Sequence, residues 1–134
     1  MRLAVLVVAS SVAVGAIWYL FRADHGLFFD PAVWKRDNAA AFRHASYDQI
    51  YNATRDRMVD DLLRRHRIAG MARSEVTALL GEPDYSRTRP FPECDMIYWL
   101  GPDHRGSWGH LDSLWLAMQC DTNGTVLQCA KRYD

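Results

Sequence analysis

The stretch Leu114–Lys131 reads LWLAMQCDTNGTVLQCAK, and it decides the fold of this 134-residue chain. Apolar and β-branched residues on both sides of Asn123-Gly124 predict two strands, Leu114–Cys120 and Val126–Lys131. An Asn-Gly pair is the strongest short hairpin signal, because a type I′ turn needs a positive φ at both central residues. The chain therefore ends in an antiparallel β-hairpin.

The segments before this hairpin supply one more strand and two helices. Met96–Leu100 is rich in β-formers and predicts the first strand. A stripe of apolar residues at helical spacing predicts a helix over Tyr47–Arg67, and Arg73–Leu80 predicts a second helix that ends at Gly81 and Pro83. This order predicts an α+β domain in which helices pack on one face of a three-stranded antiparallel meander.

The N-terminal stretch Leu3–Phe21 reads LAVLVVASSVAVGAIWYLF, which is 19 residues without charge or proline. A helix of that length spans roughly 28 Å, close to the hydrocarbon thickness of a bilayer. Cleavage as a signal peptide is the competing interpretation, but five apolar residues follow the candidate site Val14–Ala16. Trp18 and Tyr19 suit the headgroup boundary. We expect a retained transmembrane signal-anchor helix.

The domain organisation follows from this expectation. Residues 1–22 form the anchor, residues 23–46 form a juxtamembrane linker with a short helix over Ala32–Arg43, and residues 47–134 form the α+β domain. Because Arg2 precedes the apolar stretch, the positive-inside rule favours a cytoplasmic N-terminus. The predicted location is therefore the inner membrane, with the domain in the periplasm.

Three cysteines, Cys94, Cys120 and Cys129, predict one disulfide in an oxidising compartment. A two-residue hairpin turn pairs Met118 with Cys129 and Cys120 with Leu127, so Cys120 and Cys129 share one face as diagonal neighbours. Cys94 begins the first strand, beside the end of the second. We predict a Cys94–Cys120 bridge, with Cys120–Cys129 as the alternative pairing and three free thiols as the expectation for a cytoplasmic domain.

A family resemblance is carried by residues 68–84, IAGMARSEVTALLGEPD, together with Tyr98–Gly101 and Cys120–Val126. These segments resemble the SmpA/OmlA (BamE-like) domain, which reads L-x-G-M-T-x-x-x-V-x-x-L-L-G-x-P before a three-stranded meander. The resemblance covers roughly Met58–Lys131 and implies a small interaction module that steadies larger membrane complexes. Its motif residues build the fold: Gly70, Met71, Val76, Leu79, Leu80, Gly81, Pro83, Asn123 and Gly124.

Charge and aromatic content point to a protein partner. The formal net charge is zero, so nucleic acid is not an expected partner. One sheet face covers the helices, and the other exposes an aromatic contact surface unless Ala32–Arg43 folds over it. The expected partners are an integral-membrane protein complex and the lipid bilayer. The interaction candidates are Gly15, Ala16, Trp18, Tyr19, Trp99, Trp108 and Trp115.

The sequence offers little that would support catalysis. No nucleophile–base or acid–base constellation can be placed, so we expect neither an enzyme nor a cofactor. The predicted function is a non-enzymatic, membrane-anchored accessory subunit that binds and stabilises a larger membrane protein complex. A cell-envelope (outer-membrane) assembly factor is one alternative. A metal- or thiol-dependent enzyme that uses His104, His110 or Cys129 is the other.

Overall fold

The chain folds as helices packed on one antiparallel sheet. The structure is a computed structural model and describes residues 27–46, 50, 53–102 and 112–134. The strands follow one another as neighbours in the order β1-β2-β3, so the α+β content of the predicted fold is present. The elements in chain order are α1 (Pro31–Arg36), a 3₁₀ helix (Ala39–Phe42), α2 (Arg55–Arg65), α3 (Arg73–Leu80), β1 (Met96–Pro102), β2 (Ser113–Cys120) and β3 (Val126–Tyr133).

The predicted fold class and location need one correction. Within the described ranges, no helix is both long and apolar enough to cross a bilayer. The longest of these helices, α2, has 11 residues, whereas a membrane span needs about 20. The transmembrane helix of the predicted fold, and with it the single-pass membrane location, is therefore not supported. The segment to which the anchor was assigned, residues 1–22, lies outside the described residues.

The single helix expected over Ala32–Arg43 is two short helices, α1 and the 3₁₀ helix. Asp30 caps α1, since its carboxylate accepts the N–H groups of Ala32 and Val33. Asn38 then caps the 3₁₀ helix through its side-chain oxygen. A second N-cap of this kind starts a new helix and ends the first one.

Helix α2 begins at Arg55, later than the predicted start at Tyr47. Residues 47–49, 51 and 52 lie outside the described residues. Ile50 is helical, but Ala53 and Thr54 are not, so the predicted helix is interrupted before α2. The hydroxyl of Thr54 donates a hydrogen bond to Asp37. Side-chain hydrogen bonds of this kind compete with helix continuation.

The hairpin turn differs from the predicted type I′ turn. Of the Asn-Gly pair only Gly124 has a positive φ, 80°. The Asp121 carboxylate accepts the N–H groups of Asn123 and Thr125, both at 2.8 Å, and the Gly124 N–H donates to the Asp121 carbonyl. An aspartate that binds the backbone two residues on favours a type I turn followed by a left-handed glycine. The type I′ prediction is wrong because it overlooked Asp121.

This turn changes the register of the hairpin near its tip. Met118 pairs with Cys129 as predicted, but a β-bulge places Val126, and not Leu127, opposite Cys120. The bulge inserts one extra residue into β3. Val126 faces the core and Leu127 remains 64% exposed.

The two faces of the sheet are covered by different parts of the chain. The helices cover one face, and this cluster includes Trp34, Leu62, Val76, Leu116 and Met118. The segment Ala32–Arg43, which was expected to fold over the second face, covers only part of it. Its contact there is the Phe42 ring, which lies 5.2 Å from the ring of Trp99. The main cover is the loop between α3 and β1. The second cluster consists of Phe91, Cys94, Ile97, Trp115 and Ala117.

The motif residues of the family resemblance hold the helices to the hairpin. Gly70 donates its N–H to the Val126 carbonyl at 2.8 Å, and the Val126 N–H donates to the Met71 carbonyl at 2.9 Å. Gly81 ends α3 with a φ of 82°, a conformation that only glycine adopts at little cost. Within α3, Val76 and Leu80 are fully buried. Half-buried positions complete the motif: Met71, Leu79 and Pro83.

Candidate functional site: the two edges of the sheet

The outer edge of β1 is closed by hydrogen bonds. Ile97 exchanges both of its outward backbone bonds with Tyr85, at 2.9 and 3.0 Å. The outward N–H of Trp99 donates to the Asp84 carboxylate at 2.8 Å. The outward carbonyl of Trp99 accepts from the Arg55 guanidinium at 3.1 Å. These four groups therefore offer nothing to a further strand.

The closure is anchored by a buried ion pair. The Arg55 side chain is 1% exposed and donates to Asp84 at 2.7 Å. It also donates to the Trp34 carbonyl at 2.7 Å, and its guanidinium carbon lies 5.0 Å from the centre of the Trp34 ring. A buried arginine of this kind is retained only when its donors are paired. Asp84 and Arg55 thus fasten the loop, α1 and α2 to β1.

Electrostatics agree with a structural role for this pair. Burial lowers the pKa of Arg55, and the neighbouring Asp84 opposes that effect. Burial also raises the pKa of Tyr98, whose hydroxyl donates to the Gly81 carbonyl at 2.9 Å. Burial thus keeps the Tyr98 phenol protonated near neutral pH, and the Arg55 guanidinium is held by hydrogen bonds to protein groups.

Among the described residues, the outer edge of β3 has no neighbouring strand at Cys129 and Lys131. Asp134 donates its N–H toward β2, to the Ser113 carbonyl, and backbone direction alternates along a strand. The backbone groups of Cys129 and Lys131 therefore point away from β2. Within the described residues β3 is the last strand of the sheet, and no strand bonds these outward groups. An unpaired row of this kind is a template for another strand.

Large apolar side chains mark both ends of this open edge. Leu127 is 64% exposed and Tyr133 is 43% exposed. The Gly70–Met71 turn already bonds Val126, so the part of the β3 edge that has no described strand beside it begins after this residue. Exposed apolar residues at a bare strand edge are features that monomeric proteins usually avoid.

The charges on β3 are neutralised within the same molecule. Lys131 Nζ lies 2.8 Å from the Asp60 carboxylate on α2. Arg132 lies 2.5 Å from the Glu93 carboxylate in the loop. Proteins commonly use a free lysine at a strand edge to prevent pairing with another strand. Here both cations are paired, so this protection is weakened.

The tryptophans expected to form a contact surface are mostly covered. Trp115 is 8% exposed, and the ring of Tyr85 stacks on it edge-on with 5.7 Å between centroids. Trp99 is half-buried. The remaining candidates, Trp108 and the four residues of the predicted anchor (Gly15, Ala16, Trp18 and Tyr19), lie outside the described residues.

All three cysteines are free thiols in the structure. Cys94 lies in the second cluster, whereas Cys120 and Cys129 pack against the first. The predicted Cys94–Cys120 bridge is therefore not formed, because the sheet separates the two side chains. Burial raises the pKa of Cys94 and Cys120 and that of Cys129 to about 12. Thiols of this kind are poor nucleophiles at neutral pH.

A polar cleft of about 430 Å³ lies between the α1 region and the start of the loop. Its cations are Lys35, Arg43 and Arg55, and its carboxylates are Glu82 and Asp84. Lys35 is bound to the Ala78 carbonyl at 2.7 Å, and Arg55 is bound to Asp84. Charges of both signs therefore line the cleft, and two of its three cations are already bound by protein groups.

The structure does not test the predicted histidine site. His104 and His110 lie outside the described residues. Elsewhere in the described ranges, no three potential metal-binding side chains (His, Cys, Asp or Glu) are grouped.

Comparison with known proteins adds no identification. No family model matches the chain, and no curated protein or solved structure matches it. The resemblance to the SmpA/OmlA domain therefore stays a prediction, and the candidate site rests on geometry.

Sequence reasoning missed both edges of the sheet. The helical pattern over Tyr47–Arg67 places Arg55 off the apolar stripe, among the charged residues, whereas the structure buries it. No local signal separates Arg55 from exposed neighbours such as Arg57, because its partner Asp84 is 29 positions away. A signal did exist for β3: Leu127 lies next to the hairpin turn in a strand that also carries Lys131 and Arg132.

Proposed function

We propose that this protein is a non-enzymatic binding module that joins another polypeptide by strand addition along β3. The observation that carries the proposal is the contrast between the two edges. The chain bonds the outward groups of Ile97 and Trp99, whereas no strand among the described residues bonds those of Cys129 and Lys131. Strand addition supplies affinity through backbone hydrogen bonds, and the side chains beside them supply specificity.

The remaining chemistry favours binding over catalysis. The three thiols have raised pKa values, and the buried Arg55–Asp84 pair is saturated by protein groups. The proposal also fits the interaction module that the SmpA/OmlA resemblance implies. A small accessory role in a larger assembly would use the same edge.

The test compares two substitutions at one position. Lys131→Pro removes the outward N–H, and proline is tolerated where a strand N–H faces away from the sheet. Lys131→Ala loses the same ion pair with Asp60 but keeps the N–H. The tagged full chain would be purified from its source cells, and every co-purifying polypeptide would be quantified by mass spectrometry.

The proposal predicts a polypeptide that is retained by the wild type and by Lys131→Ala but lost with Lys131→Pro. Circular dichroism would first establish that both variants fold. Equal retention of every polypeptide by the two variants would overturn the proposal, because the outward N–H would then have no role in binding.

A further inference from the structure

Four exposed arginines lie on the outer side of α2 or directly after it: Arg57, Arg64, Arg65 and Arg67. Arg57 and Arg64 are seven positions apart, which is close to two helical turns. Their side chains therefore leave the helix in nearly the same direction, about 10 Å apart along its axis. The outer side of α2 thus presents a row of cations to the solvent.

Two of these arginines are held in place by a buried carboxylate. The Asp61 side chain is buried and binds both Arg64 and Arg65, whose own side chains are more than half exposed. A guanidinium group has five N–H donors, so most donors of these two arginines are not used by Asp61. Side chains that are fixed before binding lose less conformational entropy when a partner arrives.

An exposed aromatic ring lies beside these cations. Phe28 is 68% exposed, and the guanidinium carbon of Arg65 lies 5.0 Å from the centre of its ring. The backbone on both sides of this ring is bound to α2, because the N–H groups of Leu27 and Phe29 donate to α2 at 2.9 and 2.8 Å. The structure therefore fixes an apolar side chain next to the row of cations.

The charges on this side of the molecule are not balanced locally. Among the described residues, Arg57 and Arg67 form no ion pair. The two aspartates on the same helix side are already bound, Asp61 by two arginines and Asp60 by Lys131. The formal net charge of the whole chain is zero, so the positive charge is concentrated here rather than spread over the molecule.

We infer that this arginine surface, formed by Arg57, Arg64, Arg65, Arg67 and the ring of Phe28, binds an acidic segment of a partner polypeptide. Planar guanidinium groups pair with carboxylates through two parallel hydrogen bonds, and complementary charge gives an interface its specificity. An extended segment covers about 10 Å with about three residues. The partner therefore carries at least two acidic residues within about four positions, with an apolar residue that contacts Phe28.

The arginine surface suits a peptide segment better than an anionic bilayer. Two exposed carboxylates lie beside it: Asp60 is 74% exposed, and Asp30 follows Phe28 by two positions and is also exposed. A bilayer surface is wide and would bring anionic headgroups close to both carboxylates, which costs free energy through repulsion. A narrow peptide segment pairs with the arginines and leaves both aspartates in solvent.

Binding of defined peptides to the full chain tests this inference. The first probe is fluorescein-labelled hexaglutamate, and fluorescence anisotropy measures its affinity at about 50 mM salt, where exposed charges are only weakly screened. The wild type should bind this peptide. The double substitution Arg57→Gln with Arg64→Gln should weaken binding by at least about fivefold, because two of the four cations are lost.

The matched control removes the same charge elsewhere. Arg43 and Arg89 are exposed and lie outside α2, so Arg43→Gln with Arg89→Gln gives the same net charge and leaves the arginine surface intact. This variant should bind hexaglutamate like the wild type. Circular dichroism would first establish that both double variants fold.

A second probe tests the role of the aromatic ring. It is a labelled peptide with two leucines between two pairs of glutamates. Phe28→Ala should weaken its binding by about threefold, because the apolar contact with the ring is lost, and should change hexaglutamate binding much less. Equal weakening of both probes would remove Phe28 from the inferred surface and overturn its apolar part.

The remaining outcomes decide the inference as a whole. No binding of either peptide by the wild type, or equal weakening by the two double substitutions, overturns it. Binding to vesicles of phosphatidylglycerol and phosphatidylcholine, without binding to either peptide, would assign the surface to a membrane and also overturns it. The arginine surface lies on α2, so none of these results bears on strand addition, which Lys131→Pro tests at β3.

Discussion

The two edges of the sheet differ in how their outward backbone N–H and C=O groups are bonded. On β1, the loop residues Asp84 and Tyr85 and the buried Arg55 bond every outward group of Ile97 and Trp99. On β3, two ion pairs lie beside the strand, but no described strand bonds the outward groups of Cys129 and Lys131. Closure of the β1 edge requires a buried charge and a long loop, and the described residues provide no such closure at Cys129 and Lys131. This difference is the basis of the proposal that a second chain adds at β3 rather than at β1.

The largest expected effect comes from breaking the closed edge. Asp84→Ala leaves the Arg55 guanidinium buried without its partner and frees the N–H of Trp99. We expect the free energy of unfolding to fall by about 3–5 kcal/mol. Urea denaturation, monitored by tryptophan fluorescence and circular dichroism, measures this free energy.

The matched control is the carboxylate beside the open edge. The Asp60 side chain is 74% exposed in its pair with Lys131, so Asp60→Ala should change stability by no more than about 0.5 kcal/mol. Equal losses for the two variants would show that the Arg55–Asp84 pair does not anchor the β1 edge.

A smaller effect is expected where the closing loop joins β1. The Asp95 carboxylate accepts the Cys120 N–H at 2.8 Å and the Arg87 side chain at 2.7 Å. Asp95→Asn weakens these charge-assisted bonds and should cost about 1–2 kcal/mol at pH 7.

The pH dependence of this effect has a defined sign. The Cys120 N–H, the main cause, and Arg87 lower the pKa of Asp95 below its usual value. The carboxylate therefore stabilises the fold above the unfolded pKa of about 3.9, and this contribution is lost as the pH falls through the lower folded pKa. The stability gap between the wild type and Asp95→Asn should narrow between about pH 5 and pH 2. A gap that is constant over this range would contradict the prediction.

Truncation of Tyr85, which covers part of the closed β1 edge, should have a smaller effect on stability. Tyr85 is 43% exposed, and its ring stacks on Trp115. Tyr85→Ala should cost about 1 kcal/mol and should increase acrylamide quenching of tryptophan fluorescence. Tyr85→Phe keeps the ring and serves as the control, with stability and quenching close to those of the wild type. Quenching that is equal in both variants would mean that the ring does not shield Trp115.

The part of the fold that follows from local pattern was predictable. Helix α3 has the predicted bounds, Arg73–Leu80, and the three strands and their order follow from β-formers and turn residues. The hairpin turn was predicted in place but not in type, because Asp121 determines its geometry through hydrogen bonds to the backbone.

The candidate site was not predictable in the same way. A strand edge is defined by what lies beside it in space, and the closing residues Asp84 and Tyr85 lie more than ten positions before the β1 residues they bond. The burial of Arg55 depends on Trp34 and Tyr98, which come from different elements. Such contacts between distant positions leave no periodic signal in one sequence.

The smallest expected effect on stability tests whether the β3 edge is open within one molecule. Leu127→Thr replaces an exposed leucine by a residue that favours strands, so the free energy of unfolding should change by no more than about 0.5 kcal/mol. Urea denaturation followed by circular dichroism measures this free energy. A loss above about 1 kcal/mol would mean that Leu127 packs within its own chain. The β3 edge would then be covered, and the contrast with β1 would fail.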